Sequence, residues 1–186
     1  MTSAQPPDGS ATREPHTRIP EAVVAATLEA WHNSGQQHWL PILGGSMWPL
    51  LRDGDRVRVV HGDRRPVPGD IVVFRSEERL VAHRVLRCLA SPAGPTLLTQ
   101  GDNTRGPDDQ PVNQEDVLGR VTEAVTTRGS MALDGPLSRA IGRGIVATSR
   151  LALRLGCPGG TRGFRQARAL LLRAARRLLV WRGKRG

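Results

Sequence analysis

Short runs of apolar and β-branched residues alternate with turns rich in Gly, Pro and Asp between about residues 39 and 125. Such runs, bounded by turn residues, are typical of short strands. The pattern predicts strands at residues 57–60, 71–74, 80–86, 96–99 and 118–125. We therefore expect a compact, mainly β domain.

The chain before this domain has a different pattern. Residues 1–18 are polar, contain proline and show no periodicity, which predicts a disordered lead. Asp8 and Glu14 lie where a signal peptide would have its apolar core, so no signal peptide is predicted. A helix is predicted from Pro20 to about residue 31, because proline suits the first turn and the sequence Asn-Ser-Gly at 33–35 ends it.

Two further helices are predicted after Asp134, on either side of a glycine-rich break at residues 156–163. In the first, one face is apolar and consists of Leu137, Ala140, Ile141, Leu151, Ala152 and Leu155. In the second, the apolar face consists of Phe164, Ala167, Leu171, Ala174, Leu178 and Trp181. Most arginines lie on the opposite faces, so both helices are predicted to be basic and amphipathic.

Positive charge is concentrated in this C-terminal segment. Residues 135–186 contain 12 arginines, Lys184 and no acidic residue, whereas the whole chain has a net charge of +10. The arginines interrupt every apolar stretch before the roughly 18 to 20 residues that a transmembrane helix needs. A basic amphipathic helix can instead lie on an anionic membrane surface. Two alternatives remain: the apolar faces pack on each other or on the β domain with solvated arginines, or the segment binds an acidic partner or nucleic acid.

One serine stands among residues that suit a nucleophile. Ser46 follows Gly44 and Gly45, and a Gly-Asp turn comes shortly after it at 54–55. Glycines let the backbone approach a substrate closely, and they leave backbone N–H groups free to face a developing oxyanion. By itself, however, a Gly-Gly-Ser string is more often a turn. The other motifs of the chain therefore decide its interpretation.

Four sequence boxes resemble those of the type I signal peptidases and their LexA-like relatives. They read GGSMWPLLRDGDRV at 44–57, PGDIVVF at 68–74, AHRVL at 82–86 and LTQGDN at 98–103, followed by an Asp-Asp pair and LGRV. The boxes occur in the order found in that family. The resemblance implies a signal-peptidase-like catalytic β domain, predicted here at residues 19–130, and leaves residues 131–186 as a basic helical tail.

The resemblance also implies the nucleophile and the base. In this family the general base is usually lysine, and in the endoplasmic-reticulum and archaeal branch it is histidine. Lys184 is the chain's single lysine and lies in the C-terminal tail, whereas His83 occupies the base position. A serine hydroxyl becomes nucleophilic when an adjacent base takes its proton, and an imidazole suits that task. We expect Ser46 as nucleophile and His83 as base, although a lone histidine in an apolar strand is more often structural.

The acid that would orient the histidine is left open among three aspartates. By resemblance it belongs to the Asp-Asp pair, which makes Asp109 the first choice. Pro107 and an apparently extra residue interrupt that loop, so Asp108 is an alternative, with Asp102 third. The string Gly-Asp-Asn at 101–103 is by default a hairpin turn.

The surroundings of the serine are predicted to bind the substrate. The oxyanion would be held by the Ser46 N–H and groups near Gly44, and the substrate groove would also involve Gly45 and Met47. By resemblance, an extended polypeptide with small side chains next to the cut would lie beside the strand that precedes Ser46. No cofactor or metal is expected, because no cluster of His, Cys or carboxylate residues has ligand spacing.

These observations predict a serine endopeptidase that removes a leader, signal or pro-segment. Since neither a transmembrane segment nor an export signal is apparent, we expect a cytoplasmic protein, or one peripheral at the inner membrane face. The alternative is a binding or regulatory module that keeps the fold without cleaving, in which His83 or its acid would be out of hydrogen-bond reach. Nucleic acid is not expected as a partner, because the 40 residues before the boxes hold one predicted helix and cannot supply a helix-turn-helix.

Overall fold

The computed structural model describes residues 30–31, 36–61, 66–77, 79–92, 94–156 and 162–183 of the 186-residue chain. Ala30 and Trp31 are helical, as predicted. The rest of the predicted N-terminal helix and the predicted disordered lead lie outside the described residues. So do the side chains of Phe164 and Trp181.

The described residues form one antiparallel sheet of eight strands. The strands are β1 (Gln37–Pro41), β2 (Arg56–Val60), β3 (Ile71–Ser76), β4 (Arg79–Leu89), β5 (Thr96–Gln100), β6 (Val112–Asn113), β7 (Val117–Thr126) and β8 (Gly129–Ala132), and a 3-10 helix spans Gln114–Asp116. Their order is β1-β2-β7-β3-β4-β5-β6, and β8 pairs with β7. The predicted mainly β fold is confirmed, and each of the five predicted strands lies inside an observed one.

Alternation along the strands divides the core between the two faces of the sheet. In β3, Ile71 and Val73 belong to a large apolar cluster, whereas Val72 and Phe74 belong to a smaller one. Successive side chains of a strand point to opposite faces, so β3 is buried on both sides. In β2, by contrast, Val57 and Val59 are buried and alternate with less buried residues. The sheet therefore has one thickly covered face, and the helices lie on it.

Two helices complete the large cluster. Helix α1 spans Pro136–Arg154 and helix α2 spans Arg162–Gly183. Their buried residues in that cluster are Ile145, Leu172, Leu179 and Val180, which pack with sheet residues such as Met131. The two predicted C-terminal helices are thus present, and they share the core of the β domain.

A close approach of backbones fixes α1 against the sheet. At Gly142, in the middle of α1, an added Cβ would lie 2.6 Å from the carbonyl oxygen of Gly69. A side chain at this position would force the helix away from the turn at 68–70. Glycine normally weakens a helix interior, and here it is explained by this contact.

The faces that pack agree with the predicted ones only in part. In α2, Leu171 and Leu178 of the predicted apolar face are 46% and 42% exposed, whereas Leu172 and Leu179 are buried. In α1 the predicted face is divided: Leu137 and Ile141 pack against the large cluster, whereas Leu151 and Leu155 are exposed. The alternative in which the helices pack on the β domain with solvated arginines is therefore confirmed in part, because both helices pack on the domain but two arginines of α2 bind protein acceptors. Apolar residues occur on two sides of α2, and the side that packs is the one on which buried arginines find acceptors.

Candidate active site

Ser46 lies in the loop that joins β1 to β2. The loop is closed at its base, where Ile42 N donates to Asp55 O at 2.7 Å and Gly54 N donates to Ile42 O at 3.0 Å. Gly44 has a φ of 82°, in the left-handed region that favours glycine, and its N–H donates to Asp53 Oδ1 at 2.8 Å. These bonds hold the half-buried Ser46 at a turn that projects from the sheet.

The residues after Ser46 anchor the loop in the core. Met47 and Leu50 are each 2% exposed, and Leu51 is completely buried. The Met47 sulfur also accepts a contact of 3.5 Å from the N–H of Asp102. The expectation that Met47 belongs to the substrate groove is wrong for its side chain, which is buried in the core.

His83 and Asp108 form a direct hydrogen bond. His83 lies on β4 opposite Val72, and its Nδ1 is 2.7 Å from Asp108 Oδ2. Because an ionised carboxylate can only accept, Nδ1 carries the proton and Nε2 of the neutral ring keeps a free lone pair. The imidazole is thus oriented with its basic nitrogen directed away from Asp108.

Asp108 is itself held in place by Thr99 of β5. The Thr99 hydroxyl donates to Asp108 Oδ2 at 2.6 Å, and Asp108 N donates to Thr99 O at 2.9 Å. Partial burial raises the pKa of Asp108, but the hydrogen bonds from His83 and Thr99 and the charge on His83 outweigh it, so the pKa lies below its usual value. Asp108 is therefore an ionised acceptor over the range in which imidazoles titrate.

The other two aspartates have different surroundings. Asp102 is buried and forms a two-pronged ion pair with Arg84, at 2.9 Å from Nε and 2.7 Å from Nη2. Asp109 is exposed and, among the described residues, makes no hydrogen bond to His83. The first choice of the sequence analysis is therefore corrected: the aspartate that contacts His83 is Asp108. The two aspartates are neighbours in the sequence, and the hydrogen bond to His83 distinguishes them.

The turn at 101–104 brings the serine loop to the histidine. Asn103 donates from its N–H to Ser46 O at 2.7 Å and from Nδ2 to Gly45 O at 3.1 Å. A Cβ added at Gly101 would lie 2.8 Å from Ser46 O and 3.0 Å from His83 Nε2. The backbone carbonyl of Ser46 and the basic nitrogen of His83 therefore both lie next to Gly101. Within the described part of the chain no hydrogen bond joins Ser46 Oγ to His83, and such bonds often tighten only when substrate is bound.

Two backbone donors beside the nucleophile have no acceptor. The N–H groups of Gly45 and Ser46 make no hydrogen bond within the described residues. The N–H of Gly44 is taken by Asp53, which removes it from the predicted oxyanion donors. Gly45 and Ser46 thus supply a pair of adjacent donors next to the serine hydroxyl.

Arginines of α2 hold both loops of the site, a feature that the sequence analysis missed. Arg168 donates to Gly101 O at 2.7 Å and to Asp102 O at 3.1 Å. Arg176 donates to Leu50 O at 2.6 Å and pairs with the buried Asp55 carboxylate at 2.6 Å. Burial lowers the pKa of the Arg168 guanidinium, although the nearby Asp102 acts in the opposite direction. The helix thus spans the serine loop and the 101–104 turn with fixed contacts.

A third arginine and two cavities border the same region. The guanidinium of Arg173 lies 4.7 Å from the ring centroid of Trp48, in the serine loop. A cavity of about 540 Å³ is lined by Trp48, the turn at 102–104 and the beginning of α2. A larger cavity of about 1040 Å³ opens beside His83 and is lined in part by Phe74, Val81 and Asp109. No sequence signal distinguishes these arginines from solvated ones, because their acceptors are more than 60 residues away.

The fold and the site define a peptidase-like β domain, and comparison with protein families agrees. Residues 5–122 match the Peptidase S24-like family, over more than half of the chain, and the chain belongs to this family. No curated protein matches it. The family match includes Ser46, His83 and Asp108 and ends before α1, so the two arginine-rich helices lie beyond the matched segment. Neither helix, as far as it is described, has the length and apolarity to cross a bilayer.

Proposed function

We propose that this protein is a serine endopeptidase in which Ser46, His83 and Asp108 act together. The observation that carries the proposal is the contact of Asp108 with His83 Nδ1, which leaves Nε2 free beside Gly101, where the backbone of the serine loop also lies. This histidine base would group the chain with the Ser-His branch of the signal-peptidase-like clan. A lysine base would have to come from Lys184, which lies far beyond the matched region.

The residues of the site suit each step of acyl transfer. His83 Nε2 takes the proton of Ser46 Oγ while this oxygen attacks the peptide carbonyl, and Asp108 stabilises the imidazolium that forms. The N–H groups of Gly45 and Ser46 bind the oxyanion. His83 then gives the proton to the leaving amine. Water, activated by the same histidine, hydrolyses the acyl-enzyme and restores Ser46.

The substrate is proposed to bind as an extended strand beside β1. This strand pairs with β2 on one side and forms an edge of the described sheet. A peptide can add to such an edge through main-chain hydrogen bonds. Between β1 and the nucleophile, Leu43 is 81% exposed and offers an apolar contact next to the bound peptide. The substrate class is a polypeptide with a removable leader, signal or pro-segment, cut next to small side chains.

The experiment is cleavage of small proteins encoded beside this chain, followed by mass spectrometry. Ser46→Ala and His83→Ala should each lower turnover by about 10⁶-fold, because nucleophile and base act as a unit. Lys184→Ala is the control and should leave turnover unchanged. Near-normal turnover by His83→Ala, or loss of turnover in the lysine variant, would contradict the proposal.

A second candidate function is a peptide-binding or regulatory module that does not cleave. The observation in its favour is that Ser46 Oγ has no hydrogen bond to His83 in the described structure. The cleavage experiment with the same candidate substrates distinguishes the two functions. A non-cleaving module would bind a peptide with the same affinity in its wild-type and Ser46→Ala forms. Neither form would produce fragments, and Ser46 of the wild type would not become acylated.

A further inference from the structure

Helix α2 presents a second apolar stripe to the outside of the molecule. Leu170, Leu171 and Leu178 are 61%, 46% and 42% exposed. Ala167 and Ala174 are also exposed and lie on the same side of the helix as these leucines. The stripe is therefore continuous along most of the described helix.

This stripe is not required by the fold. The opposite side of α2 is buried in the core through Leu172, Ala175 and Leu179. It is also bound to the serine loop and the 101–104 turn through Arg176 and Arg168. The helix is thus fixed from within, so its exposed leucines have no further partner in the described part of the molecule. Contiguous exposed apolar residues of this kind mark interaction surfaces.

The surrounding charge indicates what covers the stripe. Arg173 and Arg177 are exposed along one flank of it, and residues 135–186 contain no acidic side chain. A second copy of the helix would bring like charges together, and nucleic acid would use the arginines but not the leucines. An anionic phospholipid surface matches both features, because headgroups attract the arginines while the acyl boundary accepts the leucines.

We propose that α2 docks the protein on anionic membranes, lying flat with Leu170, Leu171 and Leu178 in the headgroup and acyl boundary. The proposal does not depend on cleavage. It has a consequence for the site, since the inner side of the same helix contacts the serine loop and the 101–104 turn. Docking therefore brings the element that holds the serine loop to the membrane.

The test is flotation of the full chain with vesicles of phosphatidylcholine, and with vesicles of equal parts phosphatidylcholine and phosphatidylglycerol. Wild type should float with the mixed vesicles and release in high salt, because the attraction is screened. The variant Leu170→Gln/Leu171→Gln/Leu178→Gln should bind at least about tenfold more weakly, since burial of apolar area is lost. Arg177→Glu should also weaken binding.

Matched controls are available on the sheet. Val67 and Leu80 are 54% and 41% exposed, and Val67→Gln/Leu80→Gln should float like wild type. Arg128 is an exposed arginine outside α2, and the charge control Arg128→Glu should also float like wild type. Thermal unfolding verifies that the variants fold, which is expected because each replaced side chain is exposed.

Three outcomes overturn the proposal. The first is equal flotation of wild type and the leucine variant. The second is equal binding to neutral and anionic vesicles. The third is a wild-type dimer in light scattering that the leucine variant loses, without flotation of either, which would assign the stripe to a second copy.

Discussion

At the residue scale, the question is what distinguishes a base from a structural histidine. His83 is 8% exposed in an apolar strand, as many structural histidines are. The difference lies in its partner, because an ionised carboxylate at Nδ1 fixes the tautomer that leaves Nε2 basic. Thr99 in turn fixes this carboxylate. Three residues that are distant in sequence are therefore needed before one imidazole can act as a base.

The acid of the site can be identified by substitution. We expect Asp108→Asn to lower turnover by about 10³ to 10⁴-fold, because an amide at this position favours the wrong tautomer of His83. Asp109→Asn is the matched control, and its turnover should stay within about threefold of wild type, since it is exposed and does not contact the histidine. If Asp109→Asn were the slower enzyme, the original first choice would be restored.

The turnover and the stability of this protein should change with pH in a defined direction. Protonation of the imidazole removes the base, so turnover should fall as the pH is lowered, while Asp108 is still ionised. Because the pKa of Asp108 is lowered by folding, its ionised form contributes stability that is present above about pH 4 and lost as the pH falls further. Urea unfolding should thus show wild type more stable than Asp108→Asn at neutral pH, with a smaller difference at about pH 3. A constant difference would contradict this assignment.

At the element scale, α2 acts as a brace across two loops. Its arginines at 168 and 176 are two turns apart and bind carbonyl oxygens of the 101–104 turn and the serine loop, respectively. Buried carbonyl groups need donors, and the two arginines supply donors from a separate element. A guanidinium supplies several donors from one side chain, which explains why arginines lie on the packed side of this helix.

Loss of the Arg168 contacts should lower turnover more than it lowers the folded fraction. We expect Arg168→Gln to reduce turnover about tenfold or more, since a small misplacement of reacting groups is costly. Its free energy of unfolding should fall by roughly 1 to 3 kcal/mol through loss of the hydrogen bonds to the 101–102 carbonyls. Arg165→Gln, an exposed change on the same helix, serves as control. Turnover measured well below the unfolding temperature separates positioning from stability, and Arg168→Lys should recover part of it. Unchanged turnover in Arg168→Gln would contradict the proposal that Arg168 positions the site.

At the scale of the whole molecule, the helices and the sheet share one core. Ile145, Leu172, Leu179 and Val180 belong to the same cluster as Val57, Met131 and the rest of the covered face. Residues 131–186 are predicted to be a separate tail, because their charge and period differ from those of the β domain. Composition changes at residue 135, but the apolar core continues across that boundary.

A protein that ends at Asp134 should therefore not fold stably. It would lose the burial of several large apolar side chains, at about 1.5 to 3 kcal/mol each, which together approach the total stability of a domain. It would also leave the buried Asp55 without Arg176. Limited proteolysis and circular dichroism would measure whether the truncated protein folds. A truncated protein that unfolds cooperatively at the wild-type temperature would show that the helices are dispensable.

The amino-acid sequence by itself determined the elements and the chemical candidates. Strand alternation located five strands, helical periodicity located two C-terminal helices, and the boxes singled out Ser46 and His83, because these signals are local. The tertiary structure decided which of three aspartates meets His83 and which side of α2 is buried. These depend on contacts between residues far apart in the chain. Here they depend on a loop register at 101–108 and on carbonyl groups that bind Arg168 and Arg176.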